Sequence, residues 1–173
     1  MLGSVTCDGY SEDNMQTRAG LDLIDQFPEL TFIPGTYFMW SPYHRVIVYD
    51  TDRIDQNNGR LALLHEIGHA RLGHRIYRYD IQLITMEMDA WDVARELAPQ
   101  HGVTVDEQQI ARSIEDYDEW LTKRSTCPDC GNFSLQRGRD CYGCFACGSE
   151  WTVNWRKDRR VMRTVTSRYE PSG

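Results

Sequence analysis

The sequence predicts an α+β chain in two parts: a helical domain with a small antiparallel sheet over residues 1–123, then a small cysteine-rich module over 124–155 and a basic tail over 156–173. Three observations carry this. An apolar segment beginning at Leu61 has the length and composition of a buried helix and contains His65-Glu66-Ile67-Gly68-His69. Other helix-period segments flank short β-branched and aromatic runs broken by Pro34-Gly35 and Ser41-Pro42. Two Cys-x-x-Cys-Gly strings, Cys127 to Gly131 and Cys144 to Gly148, sit in a stretch too short to build much core of its own. A chain of 173 residues with 40% apolar residues suits one helical domain of roughly 120 residues plus a stapled module.

Taken in order, Glu12 to Phe27 reads as an amphipathic helix with Met15, Ala19, Leu23 and Phe27 at four-residue steps, ended by Pro28. Thr31 to Ile33, Tyr37 to Trp40 and Arg45 to Tyr49 read as three strands of the small sheet. The last of them, Val46 to Tyr49, has two readings of equal weight: an edge strand beside the functional site that pairs with an extended substrate backbone, or plain core packing. In the helix that follows, Leu61, Leu63, Leu64, Ile67, Ala70 and Leu72 surround the motif, and Gly73 is placed to stop it. Ile81 to Ala98 reads as a second helix with Ile84, Met88, Trp91, Ala94 and Ala98 as its apolar stripe. Thr104 to Lys123 reads as a third, opened by a Thr104/Glu107 capping box and carrying Ile110, Ile114, Tyr117 and Leu121 inward, with Asp116, Asp118 and Glu119 on its solvated face.

The pentapeptide has a chemical logic. One helical turn separates His65 from His69, so both imidazoles can reach one tetrahedral ion while leaving coordination positions open. Glu66 is then placed to take a proton from water activated by the metal. Such a site needs a third protein ligand, and His74, Glu87 and Asp89 are the nearest candidates. His74, five residues past His69, would point about 140° away on a continuous helix, and Gly73 ends the helix first. On the second helix, at about 100° per residue, Glu87 falls roughly 40° from the centre of the stripe and Asp89 about 160° from it. A carboxylate facing a core costs several kcal/mol unless it is paired, so Glu87 is the expected ligand, with a buried salt bridge as the alternative. Asp92 reads as a solvated residue, with support of a ligand imidazole as its other possible role. His74, Tyr77, Tyr79 and His101 are available as oxyanion donors.

The string from His65 to His74, followed by Glu87-Met88-Asp89-Ala90-Trp91-Asp92-Val93-Ala94-Arg95-Glu96-Leu97-Ala98-Pro99, resembles the ImmA/IrrE family of gluzincin metallopeptidases. Over about residues 11–123 the resemblance implies a zincin-like metallopeptidase domain, with His65, His69 and Glu87 holding a catalytic zinc and Glu66 as the base. It also implies a protein or peptide substrate, such as a repressor or other regulatory protein. Asp89, Trp91 and Val93 depart from the family pattern. A terminal zinc ribbon also occurs in SprT-like proteases, which act on DNA-attached proteins but use histidine as third ligand.

The two knuckles imply a second, closed site. Each turns tightly so that two thiolates converge, and the following glycine permits the positive φ of the turn. Cys127, Cys130, Cys144 and Cys147 are therefore the expected ligands of a structural zinc in a zinc ribbon, with Cys141 a spare thiol because no glycine follows the Cys141/Cys144 pair. Charge divides between the parts: residues 1–123 carry a net −11 and residues 124–173 a net +4 within the chain total of −7. The acidic part argues against nucleic-acid binding by the whole domain. The tail, with Arg156, Lys157, Arg159, Arg160, Arg163 and Arg168 near Trp151 and Trp155, suits nucleic acid, an acidic protein surface, or plain solvation. Met1 to Tyr10 lacks a basic start with an apolar stretch, and no run approaches membrane-spanning length, so a soluble cytoplasmic protein with no membrane contact is expected. The competing functional class is a non-catalytic zinc-binding adaptor, against which the intact Glu66 weighs.

Overall fold

A computed structural model describes residues 19–155, 157 and 159–168. The N-terminal half of the predicted first helix, including Met15, the Met1 to Tyr10 segment and Arg156 all lie outside the described residues. The fold is α+β. In chain order it runs α1 (Ala19–Asp25), β1 (Thr31–Gly35), β2 (Met39–Ser41), β3 (Val46–Asp50), α2 (Asn57–Leu72), α3 (Asp80–Leu97), a 3-10 turn (Ala98–His101), α4 (Glu107–Ser125), β4 (Leu135–Gly138), β5 (Cys141–Gly143), β6 (Glu150–Val153) and β7 (Arg163–Ser167). By contact the chain divides into two compact units, residues 1–73 with 92–106, and residues 74–91 with 107–173. Among the described residues no helix is long and apolar enough to cross a membrane.

In the first unit the three-stranded sheet is mixed rather than antiparallel. Its order is β1-β3-β2, with β1 parallel to β3 and β2 antiparallel to it. The sequence expectation of an antiparallel sheet is therefore corrected, and of the two readings of Val46 to Tyr49 the edge strand gives way to core packing. Val46 to Tyr49 is the central strand, paired on both sides, with Ile47 fully buried, and the edges are β1 and β2. A four-residue turn joins β2 to β3, with Arg45 at φ 57° and its N–H donating to Ser41 O at 2.7 Å. Helix α2 packs against β2 and β3. Its Leu61, Leu63, Leu64 and Ile67 are completely buried and, with Leu23, Phe27, Ile47, Ile54 and Leu97, supply the core. Leu72, at the last turn, is instead 45% exposed. Gly73 ends α2 in the left-handed region, φ 65° and ψ 31°, which a glycine adopts at no steric cost.

The second unit holds an antiparallel four-stranded sheet, β4-β5-β6-β7. Residues 163–167 of the basic tail thus form β7, an edge strand on β6. Tyr142 and Trp151 stack at 5.6 Å and form a small core with Cys127, Cys144 and Val153. Helix α4 begins at Glu107, so Thr104 stands outside it and the predicted capping box does not form its start. Thr104 instead exchanges two 2.8 Å bonds with the side chain of Asn57. Ile110 is buried, and Asp116, Asp118 and Glu119 face solvent as the periodicity predicts.

Candidate metal centres

Helix α2 presents its two histidines on one face, as a spacing of four residues requires. Both are buried, at 7% and 8% exposure. Their rings stand perpendicular with centroids 4.6 Å apart, and the two Nε2 atoms approach to 3.0 Å. Zinc held at about 2.0–2.1 Å by two imidazoles in tetrahedral geometry separates their nitrogens by about 3.3–3.4 Å. The observed approach is a few tenths short of that, and both rings already aim the same atom at one point.

Glu87 of α3 is 6% exposed, and its carboxylate with the two imidazoles forms a group whose ligand atoms all lie within 4.8 Å of one another. This donor set fits one divalent cation such as zinc: two neutral nitrogens and one carboxylate bring a single negative charge, and the ion would be the partner that a buried carboxylate requires. Glu66, next to His65 in the chain, is half-buried, and its Oε2 accepts the backbone N–H of Trp40 at 2.6 Å. That bond fixes the carboxylate against the edge strand β2. It is a feature the sequence does not announce, because a backbone donor leaves no residue-type signature.

The other candidates fall outside the group. His74 follows the helix-ending Gly73. Asp89 is exposed, and Asp92 is exposed and paired with Arg95 at 2.7 Å. His101 Nδ1 meets Gln26 Oε1 at 2.6 Å while its ring packs on Phe27, and burial followed by the charge of Arg71 lowers its pKa. Burial raises the pKa of the Tyr77 hydroxyl, with the nearby Asp80 charge adding to the effect.

The second group is Cys127, Cys130, Cys144 and Cys147, whose Sγ atoms again all lie within 4.8 Å. Cys127 Sγ is 3.6 Å from Cys147 Sγ, and Cys130 Sγ is 3.5 Å from Cys144 Sγ. Four sulfurs at about 2.3 Å from a tetrahedral zinc stand about 3.8 Å apart, so these thiols fit the ion with little movement. The knuckles repeat each other. Gly131 N–H donates to Cys127 O at 3.0 Å and Gly148 N–H to Cys144 O at 2.9 Å, with φ of 76° and 75° at the two glycines. In each, the first cysteine's N–H is bonded just beyond the glycine, to Asn132 O and Ser149 O. The backbone N–H of Cys147, then the Ser134 hydroxyl, stabilise the Cys144 thiolate and lower its pKa to about 6, whereas burial pushes Cys127 up to about 11. Cys141 is an exposed free thiol on β5 outside the group.

A buried polar network adjoins these cysteines. Arg124, 1% exposed at the end of α4, donates to Asp80 at 2.7 Å, to Asp140 at 2.8 Å and to Asn154 O, and lies 4.3 Å over the Trp120 ring. Tyr142 OH donates to the same Asp80 carboxylate, and Trp151 Nε1 donates to Arg124 O at 3.0 Å. Burial opposes the guanidinium charge, but the Asp80 and Asp140 carboxylates outweigh it and raise the Arg124 pKa. Sequence reading missed this network. Its one signal is that Arg124 continues the Ile110, Ile114, Tyr117, Leu121 stripe of α4 by a further three residues.

Comparison with known proteins matched no family model, no curated protein and no solved structure.

Proposed function

We propose that this chain is a zinc-dependent endopeptidase that cleaves a protein substrate, with a regulatory protein such as a repressor as the expected target. The observation that carries the reading is the buried group of His65, His69 and Glu87 within 4.8 Å, with Glu66, next to His65 in the chain, held at 2.6 Å from the Trp40 N–H. His65, His69 and Glu87 would hold the metal. When bound there, zinc supplies Lewis acidity that polarises a carbonyl and makes water acidic. Glu66 takes the proton of the attacking water and returns it to the amide nitrogen as the C–N bond breaks, so the products are a carboxylate and an amine. The N–H of Trp40 restrains the Glu66 carboxylate, so the base is placed before substrate arrives.

The four cysteines serve as a closed structural zinc site in a zinc ribbon, because all four positions are thiols and none is left for substrate. Folding of the small β4 to β7 sheet then depends on that metal. Glu66→Gln keeps the carboxylate's size and an oxygen for the Trp40 N–H but has no basic oxygen. It should retain both metals and lose peptide cleavage by at least about 100-fold, the scale of a general base. Cleavage of a peptide library by Glu66→Gln at the parent rate would sink the mechanism.

A further inference from the structure

A groove of about 550 Å³ in the second unit is lined by the last turns of α4 and the segment leading into β7. Five cations line it: Lys123, Lys157, Arg159, Arg160 and Arg163. Two carboxylates share the lining, and one of them, Glu119, is already bound to Lys123 at 2.5 Å. The lining therefore keeps a positive excess in a chain whose net charge is −7. Gathering like charges on one surface destabilises the fold by self-repulsion, and a groove lined by one sign concentrates ligands of the other.

Two of the cations are fixed by their surroundings. Lys157 Nζ lies 3.2 Å over the Tyr117 ring, and Arg163 donates to Thr126 O at 2.8 Å while keeping further N–H groups. Arg159 and Arg160 are exposed. Their planar guanidinium forks match phosphate oxygens better than ammonium groups do. A second feature separates phosphate ligands from acidic peptides. Trp155, 67% exposed, stands two residues before Lys157, a chain distance of at most about 7 Å. An exposed indole two residues along the chain from a groove cation is available to stack a nucleobase, whereas a run of carboxylates has no use for it.

We propose that this groove binds single-stranded nucleic acid, its phosphates on Arg159, Arg160 and the fixed cations, and a base on Trp155. None of these residues belongs to the His65, His69, Glu87 group, and because the Glu87 charge reaches Lys157, the test rests on Arg159, Arg160 and Trp155. The test is fluorescence anisotropy of a labelled 20-nucleotide oligothymidylate, and of the matching oligouridylate, titrated with zinc-loaded full chain at several salt concentrations. Saturable binding that weakens with salt is expected. The double variant Arg159→Ala, Arg160→Ala should weaken it at least about tenfold and lower the salt slope by about 1.4, from about 0.7 per lost contact to a single-strand phosphate. Trp155→Ala should weaken it by about tenfold with the slope unchanged, within the range for one stacked base. Absence of binding at low salt, or a double variant that binds like the parent, would overturn the proposal. Displacement of the oligonucleotide by polyglutamate of equal charge, at equal concentration, would overturn it in favour of an acidic peptide. Glu66→Gln should bind like the parent, which separates this result from the fate of the catalytic reading.

Discussion

Arg124→Met tests the buried network of the second unit, because methionine keeps much of the side chain's length while removing every donor. Arg124 is 1% exposed and Asp80 9%, and they meet at 2.7 Å. Removing one member of such a buried pair leaves the other charge without its counter-ion, at a cost of about 3–5 kcal/mol. The Asp140 contact adds little, about 0–1 kcal/mol, because that carboxylate is 29% exposed and solvent takes over. Loss of the cation over Trp120 costs about 1 kcal/mol, but the contributions share one side chain and do not simply add. The expected total is about 3–5 kcal/mol, a large part of the stability of a domain this size. Urea unfolding of zinc-saturated protein, followed by far-UV circular dichroism, should show a lower midpoint with an unchanged slope. Adding Asp80→Asn, which keeps an acceptor for Tyr142 OH but removes the stranded charge, should recover at least about 1 kcal/mol. A loss under about 1 kcal/mol in Arg124→Met, or further destabilisation in the double variant, would refute the view that this ion pair is held by mutual compensation.

Two further substitutions probe the scaffolds. At Gly59 in α2 an added Cβ would stand 1.8 Å from Arg53 O, a backbone atom that cannot swing away. Gly59→Ala should therefore destabilise by more than about 3 kcal/mol, read as a fall in melting temperature, whereas Gly138→Ala, with nothing within 4 Å, should change it little. Cys141→Ser should leave zinc per chain unchanged while Cys144→Ser lowers it, because only the latter belongs to the four-thiol group. Equal losses in both would mean that Cys141 is a ligand.

The helix bearing the motif and its stop at Gly73 were legible because local signals agree there: an apolar run, histidines one turn apart, and a residue at home at φ 65°. The burial of Glu87 was legible for a partly mistaken reason. The sequence stripe centres on Ile84 and Met88, yet Met88 is 49% exposed, and the buried face runs through Leu83, Glu87, Ala90, Trp91, Ala94 and Leu97. Apolar residues on both sides of α3, such as Ile81 and Met86, leave the stripe's centre ambiguous until tertiary packing chooses it. Glu87 lies on the chosen face in either reading. The sheet order was not legible, since alternation marks a strand but names no neighbour, and the parallel pairing of β1 with β3 joins residues fifteen apart, such as Thr31 and Val46. Trp151 shows the same limit. Its sequence neighbourhood suggests a stacking surface, but the indole is 1% exposed and packs on Tyr142, leaving Trp155 as the exposed ring.

Zinc per chain, measured by elemental analysis of the purified 173-residue chain after zinc addition and removal of excess, tests the central claim most directly. The account predicts about two ions in the parent and about one in the double variant His65→Ala, His69→Ala, the remaining ion on the four cysteines. One ion in both proteins would contradict it. The histidine and glutamate group would then hold no metal, and the peptidase reading would fall with it.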